Sequence, residues 1–142
     1  MRAVPAILTA SVVLLVASTP LRADDAIEAS RHVIEQQIKA FLADDADAAY
    51  SFAAPAIKAK FPDKAAFFAM VKKSYQPVYH PDNYAFGRSK SVDNGATILH
   101  ELMISGKDGK NWRAVYKLTR QPDGSYKIEG VAIVPDTLSK AI

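Results

Sequence analysis

Two apolar runs in the C-terminal half carry the side chains best suited to chemistry. In the run from Ala96 to Ser105, His100 shares a period-two face with Ile98, Leu102 and Ile104; in the run from Trp112 to Arg120, Tyr116 shares one with Trp112, Ala114 and Leu118. An imidazole on such a face can serve as a general base or hydrogen-bond a ligand. The same residue pattern also describes a core histidine satisfied by a neighbour. The phenols of Tyr116, Tyr79 and Tyr84 can donate to an oxyanion. A proton-transfer site would also need a carboxylate, and the only acids within the strand-like runs, Glu101 and Glu129, fall on their mixed or polar sides. His100, Tyr116 and Trp112 are therefore the expected ligand-binding residues, and no catalytic set is assigned.

Other chemistries find little support. His32, His80 and His100 lie on three separate elements with no second histidine at metal-ligand spacing. The acidic cluster Asp44-Asp45-Ala46-Asp47 lacks the central Gly and closing Glu of a calcium loop, so neither a metal nor a cofactor is expected. The absence of cysteine removes thiolate ligands, cysteine nucleophiles and disulfides. There is no glycine-rich phosphate loop or nucleophile motif. Arg113, Lys117 and Lys127 on the outward strand face suit solvent, an anionic surface or an oligomer interface. Phe52, Phe61, Phe67, Met70 and Tyr75 have the spacing that core packing alone demands.

The chain's 142 residues are 49% hydrophobic, which fits one globular domain. After Met1-Arg2, the uncharged run from Ala3 to Thr19 ends at Pro20, and Leu21-Arg22-Ala23 follows. This pattern predicts a cleavable signal peptide over residues 1–23, cut after Ala23 with a site near Ser18 as the alternative, and a periplasmic or secreted protein without a membrane anchor. Its removal takes Arg2 and Arg22 from 18 basic residues and nothing from 15 acidic ones, leaving a net charge of +1. That balance argues against nucleic-acid binding.

The elements that must position these residues can be read in order. Ile27, Ile34, Ile38 and Phe41 predict an amphipathic helix begun by Asp24-Asp25 and ended at Ala43-Asp44-Asp45. Asp45 or Asp47 can cap a second short helix, Pro55 can open a third, and Asp63 can cap a fourth from Lys64 to Lys73. Pro77 and Pro81 bracket a segment, Val78-Tyr79-His80, expected to be extended. Turns at Asp93-Asn94-Gly95, Lys107-Asp108-Gly109-Lys110 and Pro122-Asp123-Gly124 then separate four strands: Tyr84 to Ser91, Ala96 to Ser105, Trp112 to Arg120 and Ser125 to Val134. The expectation is an α+β domain over residues 24–142, with helices packed on one curved, four-stranded antiparallel sheet.

Several segments resemble the domain of unknown function 4864 family. They are Ala49-Tyr50-Ser51-Phe52-Ala53-Ala54-Pro55 with Ile57 and Phe61, Phe67-Phe68-Ala69-Met70-Val71, Tyr75-Gln76-Pro77-Val78-Tyr79-His80-Pro81, and Tyr116-Lys117-Leu118 with Arg120-Gln121-Pro122-Asp123-Gly124. Tyr126 stands where the family pattern has Trp, and Val131 where Cys is common. The resemblance implies a nuclear transport factor 2-like cone enclosing a cavity, often dimerising through its outer sheet face, and it supplies no catalytic residues. The resulting expectation is non-catalytic binding of a small, partly apolar ligand or a partner protein. The alternatives are a proton-transfer or hydratase-type enzyme using His100 and a Tyr, and a dimerising envelope scaffold.

Overall fold

The computed structural model describes residues 22–136, together with Arg2, Ala3 and Val13. The expected signal peptide thus falls almost wholly outside the described residues. Among them, no helix is long and apolar enough to cross a membrane.

Helix α1 (Ala23–Leu42) carries Asp24 and Asp25 in its first turn and Lys39 in its last, each placed to favour the helix dipole. Its buried stripe comprises Ala26, Ser30, Ile34, Gln37, Ile38, Ala40 and Phe41, which recur at helical spacing and face the sheet and the remaining helices. Asp44 stops the helix in a left-handed conformation (φ 53°). Asp45 then caps α2 (Ala46–Ser51) by accepting from Ala48 N at 3.1 Å. Pro55 opens α3 (Pro55–Lys60), and Asp63 caps α4 (Lys64–Ser74) by accepting from Ala65 N at 3.0 Å.

The segment expected to be extended is instead a short helix, α5 (Gln76–Tyr79). Pro77 falls in its first turn, where the missing N–H has no partner to lose, and Pro81 acts only after His80 N has reached Gln76 O at 3.1 Å. His80 in turn lies against the end of α1, its Nε2 3.0 Å from Phe41 O.

Strands β1 (Asn83–Val92), β2 (Thr97–Ser105), β3 (Asn111–Arg120) and β4 (Tyr126–Pro135) form one antiparallel sheet in the order β1-β2-β3-β4. The turns sit where Asp93, Asn94 and Gly95 take consecutive positive φ angles of 52°, 54° and 85°, and where Gly109 and Gly124 do so singly. These conformations place β2 and β3 in unbroken register, pairing Ile98 with Leu118, His100 with Tyr116, Leu102 with Ala114 and Ile104 with Trp112. That set is the inner face, and it is buried apart from Trp112 at its end. The outer face leaves Val115 40% and Val134 52% exposed among charged neighbours.

Two irregularities interrupt the ladders. One lies between Phe86 and Ser89 on β1, and the other inserts Glu129 into β4 opposite Lys117 and Leu118. On the free side of β4, Ala54 N donates to Ile128 O and Ile128 N to Phe52 O, both at 2.8 Å, so the stretch after α2 pairs with the strand. The architecture is α+β, helices packed on a four-stranded antiparallel sheet, as the patterning indicates.

Candidate functional site

The structure brings two of the three expected ligand residues together and leaves the third apart. His100 and Tyr116 are direct partners across β2 and β3, 1% and 0% exposed. Trp112 lies four residues from Tyr116 on the same face, about 13 Å along the strand. There it borders two open grooves, one against α5 and the β2–β3 turn and one against β1.

His100 Nε2 lies 2.7 Å from Ser30 Oγ on α1, and Ser30 Oγ donates to Ile27 O at 2.9 Å. With the single hydroxyl proton committed to Ile27 O, the imidazole donates from Nε2. Burial first and then the charge of Arg31, against the opposing pull of the Ile27 carbonyl, bring the pKa of His100 down to about 4. The imidazole is therefore neutral and a poor base at neutral pH. Its distance from Ser30 suits a nucleophile–base pair. Both residues are sealed, however, and a substrate would have to part α1 from the sheet to reach them.

Phe86 covers the imidazole edge-on at 5.8 Å and carries the Arg31 guanidinium on its ring at 4.9 Å. The Tyr116 hydroxyl makes no hydrogen bond to the described residues, and burial raises its pKa, with Tyr84 adding to the shift. Ser30, Gln37 and His100 are the buried polar residues of the described chain, and no carboxylate accompanies them. No group of three His, Asp or Glu converges on a metal position among the described residues.

A separate cavity of about 200 Å³ lies between the helices and β4. Phe41 on α1, Ile57 and Phe61 at α3, and Phe67, Met70 and Val71 on α4 line it, with Tyr75, Val78, Ile128 and Val131 completing a mainly apolar wall. The wall is stiffened by ring contacts: Phe67 packs on Phe41 at 6.3 Å, Tyr50 at 5.4 Å and Phe61 at 6.4 Å. Space remains here because α3 has no fully buried residue and because the Glu129 insertion distorts the strand opposite it.

Gln37, Lys60 and Glu129 border the cavity, and the Tyr75 side chain adds a phenol hydroxyl to its lining. Gln37 Nε2 donates to Ala49 O at 3.1 Å, and its Oε1 accepts nothing from the described residues. Glu129 pairs with Lys117 at 3.4 Å.

None of His100, Tyr116 and Trp112 lines this cavity. The residues that do were visible in the sequence only as core formers. Ser30 and Gln37 could have been found by extending the helical spacing from Ile34, four residues back and three forward, which places both polar side chains on the buried stripe.

No curated protein and no solved structure is detectably similar to the chain. Residues 23–141, which contain the whole sheet and all five described helices, match the family model described as domain of unknown function (DUF4864), and the chain belongs to that family.

Proposed function

We propose that this is an exported, non-catalytic binding protein that holds a small, largely apolar ligand in the cavity between its helices and β4, within a nuclear transport factor 2-like cone. The observation that carries the reading is the cavity itself: about 200 Å³, walled by aromatic and aliphatic side chains, with a single buried amide. An apolar void of about 150 Å³ is enough to take up benzene, so this one suits one ring with a short substituent. Export is supported by the charged start, apolar run and small-residue end of residues 1–23. The sealed Ser30–His100 pair, the lowered basicity of His100 and the lack of a buried carboxylate among the described residues favour binding over proton transfer.

The test is titration with 3-phenylpropan-1-ol followed by amide NMR shifts. Saturable shifts are expected at Gln37, Phe67 and Val131, and they should disappear in both Met70→Trp and Val131→Phe, which fill the cavity from opposite walls. Circular dichroism establishes that each variant is folded. Absence of saturable shifts in the unsubstituted protein, or shifts that survive in a folded filled variant, would refute the reading.

A further inference from the structure

We infer that the ligand of this cavity is an amphiphilic monoanion, an apolar body bearing one carboxylate, which enters body first and leaves its charge at the mouth on Lys60. The inference rests on the cavity reading above and adds the chemical class and orientation of the occupant.

The charges bordering the cavity decide the sign. Lys60 and Glu129 are the charged side chains on its wall. Glu129 is held by Lys117 across the bulge, so its charge is already answered. Lys60 is exposed and pairs with no carboxylate among the described residues. Its neighbour on α3, Lys58, lies over the Tyr50 ring at 5.0 Å, and Lys64 on the next helix is bonded to Asp47. A lysine whose stem lines an apolar wall keeps its ammonium in water, and so places a positive charge at the opening.

The interior decides the orientation. Gln37 gives one of its two amide N–H groups to Ala49 O, so what it still presents is one neutral N–H and one amide oxygen, too little to replace the hydration of a full charge. The remaining wall is apolar apart from the Tyr75 phenol, and a charge buried without adequate partners is strongly disfavoured. The apolar body therefore goes in and the carboxylate stays out. An amine would place like charge beside Lys60 if it stayed at the mouth, or bury its charge with only neutral acceptors if it entered.

Three probes sharing one apolar body separate these terms: 3-phenylpropanoate, 3-phenylpropan-1-ol and 3-phenylpropan-1-amine, titrated calorimetrically at pH 7 and low salt. The acid is expected to bind about two- to fivefold tighter than the alcohol, the range of a partly exposed ion pair, and the amine more weakly than either. In Lys60→Gln the gap between acid and alcohol should close while the affinity for the alcohol is unchanged. Equal binding of acid and alcohol, an acid preference that survives Lys60→Gln, or an amine that outbinds the acid overturns the inference and leaves the cavity reading standing. Binding of none of the three overturns both.

Discussion

Replacing Tyr116 with Phe should make the protein more stable. The side chain is wholly buried, and its hydroxyl has no hydrogen-bond partner among the described residues, whereas in the unfolded chain water would satisfy it. Leaving such a group unpaired costs about 1–3 kcal/mol. Deleting the oxygen removes that penalty and forfeits the dispersion contacts of one atom, each about 0.1–0.2 kcal/mol. The net expectation is a gain of about 1 kcal/mol, read as a rise of roughly 4 °C in Tm or about 0.5 M in the urea midpoint.

Tyr126→Phe supplies the opposite sign as an internal control. Its buried hydroxyl donates to Gly95 O at 2.7 Å, so its removal should lower stability by about 1 kcal/mol. Equilibrium urea unfolding of the two variants and the parent, followed by circular dichroism, measures both. If Tyr116→Phe is less stable than the parent, the hydroxyl has a partner, and the picture of an unpaired phenol on the inner face of the sheet is wrong.

His100 ties stability to pH. Its folded pKa of about 4 lies below its ordinary value of 6.5, so between these limits the unfolded chain takes up a proton that the folded one refuses. This contribution is fully present above about pH 6.5 and is lost as pH falls towards 4, by at most about 3 kcal/mol at 1.36 kcal/mol per unit. Urea midpoints across that range should fall with pH in the parent and flatten in His100→Gln, which keeps a donor for Ser30; an unchanged slope in the variant would dismiss the assignment. Ser30→Ala strands the Nε2–H of His100 in the interior and should destabilise by about 1–3 kcal/mol in the same unfolding assay, and a neutral effect would show that the imidazole has another partner.

The sheet was the most legible part of the sequence because strand alternation and turn chemistry are both local. The face Ile98, His100, Leu102, Ile104 and its counterpart on β3 follow from period two alone, and the turn at Asp93-Asn94-Gly95 follows from residues that accept positive φ. The segment Val78-Tyr79-His80 was misread because two prolines suggest extension unless one of them falls in a first helical turn, a matter of a single position. The cavity was not legible. Its wall joins residues separated by up to 94 positions, from Gln37 to Val131, and each of them has a type and spacing that packing also requires. What makes it a cavity is incomplete coverage by α3 and one inserted residue on β4, both products of tertiary geometry. The partner of His100 was hidden for a related reason: Ser30 lies 70 residues away on α1.

The short stretch from Phe52 to Ala54 that pairs with Ile128 also bears on how the chain behaves among other copies of itself. A sheet of four strands has two borders at which a foreign strand could join and begin a fibril. At one of them the chain's own backbone already occupies the donor and acceptor of Ile128. At the other, β1 breaks its pairing rhythm at Gly87 and Arg88 and sets a charged side chain there and again at Lys90. Templated growth is thus obstructed at both borders by different means, and a variant that shortened or displaced the Phe52–Ala54 stretch would open a polymerisation seam beside the cavity.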